Sequence, residues 1–208
     1  MTELRVISDL PALLKANTPL LDLRSPGEVA VSALPNATNI ALLDNEQRAQ
    51  VGTCYKQEGE QAALALGDQL ISGEVKAQRL AAWDTWAKDN PNGVLYCWRG
   101  GLRSRLTQAA LLSLGHDVPR VDGGYKALRH TLLAEMEQAP NANLGVVSGA
   151  TGSGKTDVLL KLSHAIDLEG LARHKGSVFG QGIEEQPAQT SFENAVALKL
   201  LHPDKSSR

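Results

Sequence analysis

Cysteine is scarce in this sequence. Cys54 and Cys97 are the only two among 208 residues, and no C-x-x-C pair occurs. That pattern argues against a disulfide framework and against a structural zinc site, and no metal-ligand set is expected. Long apolar runs are missing as well; none approaches the ~20 residues needed to cross a bilayer. Met1 is followed by Thr2-Glu3-Leu4-Arg5, without the basic and apolar stretches of a secretory leader. A soluble cytoplasmic protein with no membrane partner is therefore expected. Excess basic charge is absent too: 21 Lys and Arg stand against 23 Asp and Glu, a net −2. A globally basic nucleic-acid binder would look different. No internal repeat or low-complexity tract is visible. What remains is ordinary globular composition, 42% hydrophobic and 21% charged, which excludes wholesale disorder.

The near-neutral total conceals an uneven distribution. Between Cys97 and Arg129 lie Arg99, Arg103, Arg105, Arg120, Lys126 and Arg129, opposed only by Asp117 and Asp122. A solvated helix face would account for this local excess, and so would an anion site. The cysteine that opens the segment favours the anion site.

Three blocks are expected. Residues 1–138 alternate short apolar runs with helical patterns. Residues 139–143, Ala-Pro-Asn-Ala-Asn, have linker composition. Residues 144–208 form the third block. In the first, strands are expected at 20–23, 94–97 and 118–121, with a weaker one at 38–41. Helices are expected over 60–71, 74–88, 104–114 and 125–138, with Gly115 ending the third. Strands alternating with helices define an α/β domain with a central, mostly parallel sheet. Ligands then belong at the carboxyl ends of its strands.

The segment Tyr96-Cys97-Trp98-Arg99-Gly100-Gly101-Leu102-Arg103-Ser104 runs from a strand through a glycine turn into a helix. Backbone N–H groups in such a turn can face inward and cradle an anion. The helix start and flanking arginines favour a thiolate. Cys97 is thus the candidate nucleophile, with Arg99, Gly100, Gly101, Arg103 and Ser104 as candidate anion holders. Cys54 has no such setting and reads as an ordinary thiol. Two chemistries fit. Cys97 and Arg103 are spaced C-x5-R, as in cysteine phosphatases, where the arginine clamps phosphate; Tyr96 stands where such enzymes commonly carry histidine. The other chemistry is transfer of sulfur or selenium through the cysteine.

Asp22-Leu23-Arg24-Ser25-Pro26-Gly27-Glu28, followed by Pro35-Asn36-Ala37-Thr38-Asn39-Ile40, resembles the opening signature of rhodanese domains. Cys97 then falls at that family's active-site cysteine. Val121-Asp122-Gly123-Gly124-Tyr125 is similar to the segment that closes the domain. Ser32-Ala33-Leu34 departs from the Gly-His-Ile usual before the proline segment, which suits a specialised branch.

A second motif, Gly149-Ala150-Thr151-Gly152-Ser153-Gly154-Lys155-Thr156, fits G-x-x-x-x-G-K-[ST] at every fixed position. Leu144-Gly145-Val146-Val147 suits the strand before it. Val158, Leu159, Leu162 and Ile166 supply a helical stripe after it. The amides of Gly149, Gly152, Ser153 and Gly154 would cradle a di- or triphosphate. Lys155 would neutralise it, and Thr156 could ligate Mg2+. No later apolar strand ends on Asp or Glu, as ATP hydrolysis would require. A diphosphate ligand, or a domain that extends further, is the expectation.

A rhodanese domain joined to a phosphate loop resembles the bacterial tRNA 2-selenouridine synthases. Further matching segments are Val51-Gly52-Thr53-Cys54-Tyr55-Lys56-Gln57, Gly123-Gly124-Tyr125-Lys126-Ala127-Leu128-Arg129, the stretch 167–177 and Phe192-Glu193-Asn194. The resemblance implies replacement of sulfur by selenium in wobble 2-thiouridine of tRNA, with selenophosphate as donor. It also implies geranylation of that sulfur by geranyl diphosphate, and no permanently bound cofactor. Cys97 would carry selenium as a selenylsulfide. Arg99, Arg103 and the loop Gly100, Gly101 and Ser104 would hold selenophosphate, and the Gly149–Thr156 loop would hold the diphosphate. The partner would be the tRNA anticodon arm, with a selenophosphate-supplying enzyme as a second. Members of the family run on beyond the point where this chain stops, so truncation inside the second domain is expected. Residues 144 onward are too few for an independent core, and poor protection from exchange is expected there. The alternatives are a sulfurtransferase passing persulfide sulfur from Cys97 to a partner, and a cysteine phosphatase.

Overall fold

A computed structural model describes residues 4–138, 144–150, 152–174 and 185–202. The expected linker 139–143, Thr151 of the phosphate loop and part of the 167–177 segment lie outside them. Two compact units are distinguished. One comprises residues 1–30 and 36–128, the other Val31–Pro35 and 129–208.

The first unit is built on five parallel strands: β1 (Val6–Ile7), β2 (Leu20–Asp22), β3 (Ala37–Asn39), β4 (Val94–Tyr96) and β5 (Arg120–Val121). Their order is β1-β5-β4-β2-β3. β2 and β4 lie inside the sheet and are buried at every position, as strands covered on both faces must be. Their register pairs Leu20 with Val94 and Asp22 with Tyr96. Leu95 in turn faces Arg120 of β5. The chain leaving β4 therefore emerges between the ends of β2 and β5.

Six described helices belong to this unit, α1 (Leu10–Lys15), α2 (Pro26–Ala30), α3 (Asn45–Glu58), α4 (Glu60–Leu70), α5 (Gly73–Asp89) and α6 (Leu102–Ser113), and α7 (Gly124–Gln138) begins in it. The expected strands and helices of this block are present. Gly115 ends α6 in the left-handed region, φ 91°. The His116 N–H donates to Leu111 O at 2.9 Å and that of Gly115 to Leu112 O at 3.0 Å, a Schellman arrangement that only glycine adopts without strain. α3 was not expected from apolar spacing, because it has no buried residue. It starts instead from a capping box: the Gln47 N–H donates to the Asp44 carboxylate, and the Gln47 side chain accepts from the Asp44 N–H. α1 and the two-residue β1 were likewise too short to read.

In the second unit the expected strand at 144–147 does not form. Leu144, Val146 and Val147 are exposed, and so are Val158 and Leu162 of the expected apolar stripe, while Leu159 and Ile166 are half-buried. α8 (Lys155–Leu159) is correspondingly brief. A parallel strand needs neighbours for its N–H and C=O groups, and the described residues supply none after residue 121. α9 (Leu168–Ala172) is a single turn capped by Asp167. α10 (Gln189–Leu201) differs: Asn194, Ala197 and Leu198 are buried. The Asn194 amide donates to Ala33 O at 2.8 Å, and Arg129 donates to Asn194 at 2.9 Å and pairs with Glu193. Poor protection was expected of this whole block. The structure instead divides it, because residues 31–35 and the second half of α7 contribute to the unit that holds α10. Hydrogen exchange should find amides inside α10 slower than those of residues 144–150.

Candidate active site

Cys97 is the first residue beyond β4 and is buried, 3% exposed. It belongs to the apolar cluster that includes Leu21, Leu23, Leu42, Leu43 and Trp83. The four residues that follow turn the chain into α6. Gly100 has φ 65°, and a Cβ there would lie 2.7 Å from Val121 O and 3.0 Å from Gly123 N. Gly101 occupies the N-cap of α6 with no side-chain cap. The amides of the first turn thus precede the first intrahelical donor, Arg105 N–H, which bonds Gly101 O at 3.1 Å. The positive end of a twelve-residue helix is thereby aimed at the loop.

A second glycine turn fixes the loop from the other side. The N–H groups of Tyr125 and Lys126 donate to Cys97 O at 2.8 Å and Trp98 O at 3.1 Å. Gly124 makes this approach possible: its added Cβ would lie 2.3 Å from both Cys97 O and Gly100 N, at φ 61°. Gly124→Ala should therefore destabilise the unit by about 2–4 kcal/mol, combining left-handed strain with overpacking. Urea unfolding of the variant beside its parent measures this, and a loss below about 0.5 kcal/mol would contradict the tight approach.

Beneath the loop lies a buried charge. Arg24 is 0% exposed. Its Nε lies 3.0 Å from each Asp22 carboxylate oxygen and its Nη2 2.6 Å from Oδ2. The Tyr96 hydroxyl donates to Asp22 Oδ2 at 2.8 Å. The guanidinium sits 3.8 Å from the Tyr125 ring centroid and 5.7 Å from that of Trp98, and those two rings stack at 5.4 Å. Burial opposes the arginine's charge, but the bond and charge of Asp22 outweigh it and hold its pKa above the ordinary value. Burial first, and then the Asp22 charge, push the Tyr96 phenol well above its ordinary value. The sequence signature contained Asp22 and Arg24, but gave no sign that they carry the aromatic layer under Cys97.

The expected anion holders separate in the structure. Arg99 is exposed at the loop. Ser104 is fully buried in the first turn of α6, and its hydroxyl has no hydrogen-bond partner among the described residues. Arg103 forms a bidentate pair with Glu28 of α2, at 2.6 and 3.0 Å. Burial would raise the Glu28 pKa. The bond and charge of Arg103, the Ser25 N–H and the Arg48 charge outweigh it and lower the value below the ordinary 4.5. A depressed carboxylate contributes stability that is present above its unfolded value and lost as pH falls through its folded value. Unfolding free energy should thus drop below about pH 4.5 in the parent, and less steeply in Glu28→Gln, by urea titration at successive pH values. Cys54 lies on α3, where burial and the Glu58 charge push its thiol up; nothing there favours a thiolate.

In the second unit Gly152 and Gly154 of the phosphate loop take φ 80° and 78°. Gly149 has Ser153 Oγ 2.9 Å from where its Cβ would lie. Lys155 Nζ donates to the carbonyls of Gly149 and Ala150 at 2.7 and 2.8 Å. Thr156 is exposed at the start of α8.

A cysteine at the carboxyl end of a central parallel strand, turning through glycines into a helix, is the arrangement of a rhodanese-like domain. The chain belongs to that family: the rhodanese-like domain matches residues 7–131. Residues 142–208 match the tRNA 2-selenouridine synthase AAA domain. The chain is also 51% identical to the tRNA 2-selenouridine synthase of Alcanivorax borkumensis over 93% of its own length and 54% of that protein's. It is 50% identical to that of Shewanella halifaxensis over 91% and 53% of the two lengths. For the Shewanella piezotolerans protein the figures are 47%, 97% and 56%. The chain spans about half the length of the curated relatives it matches. No described helix is long and apolar enough to cross a membrane.

Proposed function

We propose that this chain acts in replacing sulfur by selenium in wobble 2-thiouridine of tRNA. Selenophosphate is the selenium donor, and a geranylated 2-thiouridine, made from geranyl diphosphate, is the species from which sulfur leaves. The observation that carries this reading is the Cys97 loop at the open start of α6, in a rhodanese-like chain about 50% identical to tRNA 2-selenouridine synthases.

The Cys97 thiolate attacks phosphorus of selenophosphate, so that an S–P bond forms as the P–Se bond breaks and selenide is released. The selenide adds to C2 of the S-geranyl base, geranylthiolate leaves, and water then clears phosphate from the cysteine. The amides after Gly100 and Gly101, the unpaired Ser104 hydroxyl and the exposed Arg99 hold the selenophosphate anion. Arg103 adds positive charge, while its fork is committed to Glu28. Lys155 and the amides of Gly149, Gly152, Ser153 and Gly154 hold the diphosphate, whose oxygens take the place of the carbonyls that Lys155 now meets. The Thr156 hydroxyl suits Mg2+ shared with that diphosphate, since its exposed position at the helix start lets both reach one ion. Residues 1–138 and 144–208 form the two working domains, with 139–143 between them. The tRNA anticodon arm and a selenophosphate-supplying enzyme are the partners, in the cytoplasm.

Incubation with 2-thiouridine tRNA, geranyl diphosphate and selenophosphate, followed by nucleoside analysis, tests the reading; 2-selenouridine is expected. Lys155→Ala should weaken geranyl diphosphate binding at least about tenfold in calorimetry, a loss of roughly 1.4 kcal/mol. Unchanged binding would remove the phosphate loop from the scheme. The rhodanese-like match favours one second reading, a sulfurtransferase using Cys97. Persulfide formation from thiosulfate, without selenation of tRNA, would select it.

A further inference from the structure

A cavity of about 200 Å³ lies within the first unit, enclosed by the α3–α4 hairpin, α5 and α6. Its wall is hydrocarbon, chiefly Leu42, Val51, Leu64, Ile71, Leu80 and Trp83. Leu102, Arg103 and Thr107 close it along α6, the helix that begins at the cysteine loop.

Two observations separate this space from a gap in packing. The first is continuity with the nucleophile. Leu42, Leu43 and Trp83 belong to the same buried cluster as Cys97, and Val51, Ile71 and Leu80 pack against it. The second is Thr107, which is fully buried and lines the cavity. Its hydroxyl has no hydrogen-bond partner among the described residues. A buried hydroxyl without a partner is costly, and the single oxygen or sulfur that heads an otherwise hydrocarbon ligand would relieve it. The neighbouring guanidiniums are already engaged, Arg79 with Leu42 O and Gln47, and Arg103 with Glu28. Asp68 and Lys76 also line it, of opposite sign and both exposed to solvent, so its buried part offers hydrocarbon and one hydroxyl.

We propose that this cavity seats an uncharged hydrocarbon chain beside the Cys97 loop. An apolar cavity of about 150 Å³ takes benzene, six carbons. On that scale this one holds roughly eight, most of a ten-carbon prenyl chain. The inference rests on the proposed geranylated 2-thiouridine: its occupant is the geranyl chain, held while the base sulfur lies near Cys97. The same chain could arrive on geranyl diphosphate or on the S-geranyl base.

The test uses the full chain and geraniol, which carries the hydrocarbon without the diphosphate and so bypasses the phosphate loop. The reporter is the Trp83 indole N–H, which donates to Ile40 O at 3.0 Å in the cavity wall. Geraniol should shift its NMR signal saturably, and five-carbon dimethylallyl alcohol should bind at least about tenfold more weakly, about 1.4 kcal/mol. Gly67 lines the cavity, and a Cβ there meets nothing within 4 Å. Gly67→Leu therefore fills the space while improving the helix. It should keep its fold and lose geraniol affinity at least about tenfold. Titrations with geranyl diphosphate in Lys155→Ala and with S-geranyl-2-thiouridine then distinguish the two sources. Absent saturation, or Gly67→Leu binding like the parent, overturns the cavity assignment even if selenated tRNA is made. Geraniol binding that Gly67→Leu abolishes, in a chain that makes no modified nucleoside, upholds the cavity and overturns the proposed activity.

Discussion

Arg24→Met is expected to lower the unfolding free energy of the sheet unit by about 3–5 kcal/mol. That is the cost of removing one partner from a fully buried ion pair. A domain has only ~5–15 kcal/mol in total, so the variant would be marginal at 37 °C. The effect is large because the carboxylate left behind is 1% exposed and would keep only the Tyr96 hydroxyl and local backbone as partners. The double variant Asp22→Asn, Arg24→Met should recover part of the loss, since no buried charge is then stranded. Urea unfolding measures all three proteins. A loss below about 1 kcal/mol for Arg24→Met would show that the pair beneath the loop is not what organises it.

Cys97→Ser is expected to abolish selenium transfer, on the order of 10³-fold or more, while Cys54→Ser keeps parental rates. The substitution is small and the site is packed on apolar side chains, so stability should change little beside the loss of activity. The two cysteines differ in setting rather than in residue type. Cys97 stands at a helix start between two glycine turns, whereas burial and Glu58 hold the Cys54 thiol in its neutral form. If both serine variants lost activity equally, the assignment of the nucleophile would fail.

The parts of the fold that were legible in the sequence are those with a local physical signature. The apolar runs of β2 and β4 mark strands buried on both faces. Gly115 marks a helix end through its left-handed backbone. The run from Cys97 to Ser104 marks a strand, a turn and a helix start. Four features escaped, most of them because their causes are not local. The Arg103–Glu28 pair joins residues 75 positions apart, so spacing alone gave Arg103 to the anion. α3 has no fully buried residue and no apolar stripe; only Asp44 and Gln47 announce it. Residues 144–147 have a strand's composition, but strands are made by partners, and the described chain gives them none. α10 was misjudged for the converse reason, because Asn194 reaches back 161 positions to Ala33.

The central claim is that Cys97 is the nucleophile of this chain. Intact-protein and peptide mass spectrometry after exposure to selenophosphate tests it directly. A phosphoryl adduct on the Cys97 peptide, with selenide released, absent in Cys97→Ser and retained in Cys54→Ser, is the expected result. An adduct on Cys54, or none on a folded chain, would contradict it.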